Sequence, residues 1–406
     1  MTGFGALVGL RVLDLTQALA GPFCTQILAD HGADVVKVEP PKVGDMARLS
    51  GPFHPADPEH RHSGYFHSIN RNKRSAVIDL KTKDGQELLR RLLPSFDVLV
   101  ENFRAGVMDK LGLSYEVLSK DHPKLVYATI RGFGDPRSGA SPYVEWPAYD
   151  VIAQAMGGMM GVTGTDAAHP VKVGPGVGDT VPGLYLAVGI LAAVLRARET
   201  GQGQFVDVSM VDAVLGVSER IVHQHSFGKA NPTPEGNHHP FIAPFGIFPA
   251  SDGNVTIACP SDAFFRKLCL ALDAPQLADD PRFALQIDRR ANRLAVIAEI
   301  EALTVRFTKA ELTARLGGLL PFGPVYSVGE IVEDPHFATR EMLATIECPG
   351  IPEPMQIAGV PIKLSRTPGQ VARRGPAPGE HTDDVLAAAG FSKDEIAGWR
   401  QAGVIK

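Results

Sequence analysis

A chain of 406 residues with 44% hydrophobic and 21% charged side chains has the composition of a folded globular protein, which excludes a disordered one. Its length suits two domains or one elaborated domain. The formal net charge of −5 argues against general nucleic-acid binding, although a local basic groove can still hold phosphates.

Residues 1–10 lack a basic stretch followed by a long apolar one, so no secretory leader is expected. Leu10–Thr16 reads as a strand and Gly21–Leu28 as the start of a helix. Asp34–Glu39 is a second strand, closed by Pro40 and Pro41. Ser75–Leu80 and Asp97–Glu101 are strands flanking the helical Lys83–Leu93, and Leu125–Ile130 is another. Short strands alternating with helices predict βαβ units and a mostly parallel sheet, with ligands at the carboxyl ends of its strands. From Asp150 onward longer helices are expected over Val151–Met160, Val181–Arg198 and Met210–Phe227. The apolar run Leu184–Leu195 is too short to span a bilayer and reads as a buried helix. Asn231–Pro244, rich in proline and histidine, reads as a linker or a lid. Phe245–Cys259 is a hairpin turning at Asp252-Gly253, Gln356–Leu364 a strand, and Lys393–Gln401 a polar helix. The widely spaced Cys24, Cys259, Cys269 and Cys348 read as reduced, buried small hydrophobes of a cytoplasmic protein.

The segment with most chemical content is Val173–Asp179, VGPGVGD, followed by Thr180 and Pro182. Its glycines permit close backbone approaches, and Asp179 is expected at a helix N-terminus with amides nearby. Two readings are open: an ordinary helix cap, or a carboxylate nucleophile whose acyl transfer is assisted by those amides. No Gly-Lys-Ser/Thr follows, and the first βα turn, Thr16–Pro22, lacks Gly-x-Gly-x-x-Gly, so neither a P-loop nor a dinucleotide fingerprint is present. The pairs His60/His62, His223/His225 and His238/His239 have no ligand spacing, so no metal is expected. A Gly-x-Ser-x-Gly elbow is absent. Lys73, Arg74, Lys81, Arg104 and Lys110 fall near strand ends, where they are either surface charge or phosphate contacts.

Taken together, the blocks VLDLTQALAGPFCTQ from Val12, VKVEPP with GDMAR up to Arg48, NRNKRSAVIDLK from Asn70 and VENFRAGVMDKLG from Val100 resemble the family III coenzyme A transferases. YDVIAQAMGG from Tyr149, GVGDTVPGLYLAVGILAAV from Gly176, TGQGQFVDVSMVDA, Gly323-Pro-Val and GEHTDDVL continue the resemblance in order. It implies an α/β fold: a Rossmann-like large domain (1–228, with 326–406 returning to it), a smaller α+β domain over 229–325, and an interlocked, ring-shaped homodimer. It implies that Asp179 carries anhydride and aspartyl-CoA intermediates, with coenzyme A as substrate and no permanently bound cofactor, nucleic acid or membrane. By the same resemblance, coenzyme A contacts Leu19, Ala20, Ile78, Asp79, Leu80, Lys81, Asn102, Phe103, Arg104, Lys110, Tyr149 and Asp150. Pro40 stands where some members have an arginine beside the adenine, and the glycine-run loop of formyl-CoA transferase has no clear copy. Overall similarity points to succinyl-CoA as donor and small dicarboxylates as acceptors, with Asn237, His238 or His239 offered to the second carboxylate. Two alternatives stand beside transfer. A 2-methylacyl-CoA racemase needs an acid/base pair, and the resemblance would put histidine where Tyr149 stands. A non-catalytic acyl-CoA-binding subunit would bind without a covalent step.

Overall fold

In the computed structural model, which describes residues 4–406, the short apolar runs of the N-terminal half form one parallel sheet. The leader expectation for residues 1–10 falls partly on residues 1–3, outside the described ones. The strands are β1 (Arg11–Asp14), β2 (Asp34–Glu39), β3 (Arg74–Val77), β4 (Val98–Glu101), β5 (Val126–Arg131) and β6 (Phe205–Ser209), in the order β3-β2-β1-β4-β5-β6. Leu13 pairs with Val36 on one side and with Leu99 on the other. Both faces are covered, which is why these strands read as nearly continuous apolar runs rather than alternating ones. Leu13, Val36, Ala76, Leu99 and Tyr127 lie in one core; Val12, Val35, Val98, Val126 and Ala128 lie in another.

The connecting helices are α1 (Ala20–Asp30), α2 (Gly64–Asn70), α3 (Lys83–Leu92), α4 (Val107–Lys110), α5 (Tyr115–Asp121), α6 (Asp150–Met156), α7 (Val177–Thr200) and α8 (Met210–Val217). Helix α7 is the described helix long and apolar enough to cross a membrane, yet Leu186, Ile190 and Ala193 on it are fully buried in the second core. It starts four residues before the expected Val181, so the glycine run feeds directly into its first turn. The helix expected over Met210–Phe227 is broken: α8 stops at Ser218, whose hydroxyl bonds back to Val214 O at 2.8 Å, and Ile221–Gly228 is a separate helix. Strand β6 was not expected, and the strand read at Gln356–Leu364 shrinks to Met355–Ala358, paired antiparallel with Leu343–Ile346.

The chain divides into two units. The first holds residues up to Met159, Val173–Arg220 and Pro335–Lys406. Its C-terminal helices, Thr382–Ala388 and Lys393–Gln401, bring Val385, Leu386 and Ile396 into the core around Leu13. The second unit holds Met160–Lys172 and Ile221–Asp334. It contains the expected hairpin, β7 (Phe245–Ala250) and β8 (Gly253–Ala258), extended by β9 (Phe322–Pro324) and packed on helices around Phe265, Leu268 and Ile300.

Candidate active site

The order of the large sheet reverses between β1 and β4, and a crevice forms there at the carboxyl ends of the strands. A reciprocal pair ties the two loops together. Gln17 N–H donates to Asn102 Oδ1 at 2.9 Å, and Asn102 Nδ2 donates to Gln17 O at 2.8 Å. Buried charge shapes the floor. Lys37 Nζ reaches Thr16 O at 2.6 Å and Asp45 Oδ2 at 2.7 Å, while Asp45 Oδ1 accepts Ala18 N–H at 3.0 Å. Ala18 has a φ of 66°, a region alanine seldom enters, so this bond holds the turn against its preference.

Lys73 pairs with Asp14 at 3.0 Å, both side chains fully buried, and Arg74 pairs with Asp34. From their places near strand ends, both cations are candidates for a phosphate contact. Lys73 is sealed inside the fold with its carboxylate, and the Arg74 guanidinium is committed to the partly exposed Asp34 by two hydrogen bonds, so neither is free to meet one.

The cavity encloses about 290 Å³ between the loops Gln17–Ala20, Asn102–Ala105, Ile130–Gly132 and Val144–Tyr149, with Asp179 on one wall. Asp179 enters from the first turn of α7. The N-cap of that helix is Gly176, with no side-chain cap. Among the described residues none donates a hydrogen bond to the Asp179 carboxylate, so the cap reading does not hold. Asp150, the first residue of α6, does that work instead. Its Oδ1 accepts Gly178 N–H at 2.8 Å, and Gln154 Nε2 holds both oxygens at 2.8 and 3.0 Å. A Cβ on Gly178 would stand 2.4 Å from Asp150 O, so only glycine fits. The Gly178 amide, one of those expected to serve an oxyanion, is thus already engaged.

Burial, and next the charge of Asp150, push the Asp179 carboxyl up to about 7. The positive end of α7 works in the opposite direction. A carboxylate held poorly solvated and unpaired is a better nucleophile than one in a salt bridge.

Tyr65, half-buried on α2 and packed with Leu19 and Phe23 around Phe66, was missed by the sequence reading. Burial, then Asp179, Asp45 and Asp150, push its hydroxyl up to about 12, so it stays a neutral donor in Asp179's surroundings. No spacing links position 65 to position 179, and no sequence signal marks it. Trp146 was also missed; it lines the cavity, braced against Tyr143 at a centroid distance of 4.7 Å.

Of the residues named from sequence, Leu19, Ala20, Asn102, Phe103, Arg104, Tyr149 and Asp179 line this one cavity, with Asp150 directly behind Gly178. Ile78 is buried and bridged to Ile405, Asp79 N–H donates to Val404 O, and Leu80 packs on the core. Lys81 and Lys110 are exposed outside the cavity lining. Asn237 and His238 belong to the second unit, where Asn237 O accepts Ile247 N–H and the His238 ring stands edge-on to Phe248. All four cysteines are buried and unpaired.

The CoA-transferase family III model matches residues 7–382. The chain is 45% identical over 386 residues to the succinyl-CoA:mesaconate CoA-transferase of Haloarcula marismortui, covering 95% of this chain and 97% of that one. It is 39% identical to the succinate–glutarate CoA-transferase of Agrobacterium fabrum, covering 94% and 95%. A CAIB/BAIF family protein from Brucella suis superposes with a TM-score of 0.84 at 37% identity, over 95% of this chain and all of that one.

Proposed function

The chain belongs to CoA-transferase family III, and from that premise we propose that it moves coenzyme A from succinyl-CoA to a small dicarboxylate through covalent intermediates on Asp179. The observation that carries this reading is the unpartnered Asp179 carboxylate, set in the wall of the switch-point cavity by the first turn of α7.

The steps balance without an external energy source. Asp179 attacks the thioester carbonyl; the C–S bond breaks, the CoA thiolate leaves, and an acyl-aspartyl anhydride forms. The thiolate attacks the aspartyl carbonyl, releasing the donor acid and leaving aspartyl-CoA. The acceptor carboxylate displaces the thiolate to form its own anhydride, and the thiolate then attacks the acceptor's carbonyl. Asp179 is regenerated. Both intermediates hydrolyse if water enters, so the site must stay closed during turnover.

Leu19, Ala20, Asn102, Phe103 and Tyr149 are proposed to hold the body of coenzyme A, with the exposed Arg104, Lys81 and Lys110 meeting its phosphates. Racemisation is disfavoured because position 149 offers a solvent-exposed tyrosine where that chemistry needs an acid/base group titrating near neutrality. A homodimer is proposed as well. Its support is the outer side of α7, where Val188 and Leu195 are 66% and 69% exposed beside Leu184 and Tyr185. The interlocked ring form comes from the family resemblance alone. A cytoplasmic location is proposed on the four unpaired cysteines.

One experiment separates the readings: a matrix of acyl-CoA donors and carboxylate acceptors, run in deuterated water and read by mass spectrometry. Transfer from succinyl-CoA to C4–C5 dicarboxylates without deuterium uptake is expected. Uptake at the α-carbon without exchange would make the protein a racemase, and binding without either would make it a non-catalytic subunit.

A further inference from the structure

His62, His67 and Cys348 come together away from the cavity and play no part in the transfer steps. His62 precedes α2, His67 lies on α2, and Cys348 follows the strand Leu343–Ile346. His62 Nδ1 is 3.3 Å from His67 Nε2, Cys348 Sγ is 3.4 Å from the same Nε2, and all three donor atoms lie within 4.8 Å of one another. Sequence spacing gave no reason to expect this. His60 is the neighbour of His62 that the spacing suggests, whereas in the fold His62 meets a histidine on a helix and a cysteine on a hairpin near the other end of the chain.

His62 is aimed by partners outside the cluster. His62 Nε2 is 3.1 Å from Pro349 O, an acceptor only, which assigns the ring proton to Nε2 and leaves the Nδ1 lone pair facing His67. The backbone N–H of His62 is fixed on Asp57 Oδ2 at 2.7 Å. Hydrogen bonds do not resolve this arrangement well. With a proton, His67 Nε2 is one donor shared between two acceptors; without it, nitrogen lone pairs face each other. A single cation accepts all three.

Geometry agrees. With zinc–nitrogen bonds of about 2.0–2.1 Å and a zinc–sulfur bond of about 2.3 Å, a tetrahedral site has N···N edges of about 3.3 Å and N···S edges of about 3.5 Å. The two edges that meet at His67 Nε2, 3.3 and 3.4 Å, match these, and the third, from His62 Nδ1 to Cys348 Sγ, lies within 4.8 Å, so that binding draws these two together. Two imidazoles and a thiolate select zinc or a similarly soft cation over magnesium or calcium. Cys348 also borders an open cleft of about 440 Å³ with Pro349, Ile351 and Glu353, which gives water a route to a fourth position. The nearby Arg374 and Arg48 are held by Glu380 and Glu39, which offsets their repulsion of a bound cation.

We propose that His62, His67 and Cys348 form a zinc site with three protein ligands and one solvent ligand. The Cys348 thiol releases its proton to solvent on binding. The metal staples the segment before α2 to the C-terminal hairpin, and so fixes the helix that carries Tyr65.

The test uses the full chain, freshly reduced and stripped with a chelator, titrated with cobalt(II) and followed by absorption. One cobalt per chain is expected, with intense visible bands of tetrahedral cobalt and a sulfur-to-cobalt charge-transfer band in the near ultraviolet, both erased by zinc. C348S should lose the charge-transfer band. H62N, on the more exposed side of the cluster, should weaken binding by roughly tenfold or more. C259S, in the second unit, should leave the spectrum unchanged. Folded wild-type protein that takes up no cobalt, shows only the weak spectrum of an octahedral ion, or keeps its charge-transfer band in C348S would overturn the proposal.

Discussion

Replacing Asp150 by asparagine should move the acid limb of the pH–rate profile downward. A methyl placed on Gly176 would lie 3.8 Å from Asp179 Oδ2 and 3.9 Å from Asp150 Cγ, so the two carboxyls are within about 8 Å of each other. At that distance and an effective dielectric constant of about 20, two unit charges interact by about 2 kcal/mol, equivalent to roughly 1.5 pKa units. Solvent at this partly exposed site reduces the effect, so a shift of about one unit is expected. The sign is fixed by the reaction: only the ionised Asp179 attacks, so kcat/KM rises with pH as it loses its proton. The wild-type limb should centre near the value of about 7 that burial and Asp150 impose. In D150N it should centre near 6, because one like charge is gone while an amide oxygen still accepts the Gly178 N–H. The assay is kcat/KM for succinyl-CoA from pH 5 to 9 on both proteins. Substrate groups titrate alike in the two series, so the difference isolates Asp179. An unmoved limb, or one moved upward, would refute the electrostatic account.

Three further outcomes follow from the same geometry. An aspartate whose pKa is raised on folding destabilises the native state as pH climbs from its unfolded value near 4 through about 7. D179N should therefore be inactive yet more stable than wild type at pH 8, by on the order of 2 kcal/mol, with the gain vanishing near pH 4; thermal melts across pH measure it. G178A should force α6 from α7, since the new Cβ meets Asp150 O at 2.4 Å, lowering stability by about 2 kcal/mol and collapsing kcat; denaturant unfolding and steady-state rates measure both. K73M should cost about 3 kcal/mol by leaving the buried Asp14 carboxylate without its contacting cation, held only by Thr16, Thr25 and the charge of Lys37, and the double variant D14N/K73M should recover most of it in chemical denaturation.

How much of this was legible in the sequence depends on how local each signal is. Strand β2, helix α3 and the helix Lys393–Gln401 fall on or within a residue of their expected bounds because each has its own periodicity and punctuation. Helix α7 began earlier than expected because tertiary contact made the start: Asp150, on another helix, satisfies the Gly178 amide. Asp179 itself was ambiguous locally, and only the ordered blocks around it favoured nucleophile over cap. Its raised pKa depends on a burial that no window around residue 179 encodes, and next on Asp150. Tyr65 and the His62–His67–Cys348 cluster were invisible for a similar reason: Asp179 is far from Tyr65 in sequence, and Cys348 is 281 residues from His67. Lys73 misled, because a cation near a strand end reads as a phosphate contact until its buried partner is seen.

The most direct measurement of the covalent claim is trapping during turnover. Enzyme incubated with succinyl-CoA and hydroxylamine, digested and mapped by mass spectrometry, should carry a hydroxamate at Asp179 and at no other residue, with no label when the acyl-CoA is omitted. A label at a different residue, or D179A protein that still transfers coenzyme A at near wild-type rate, would contradict the assignment.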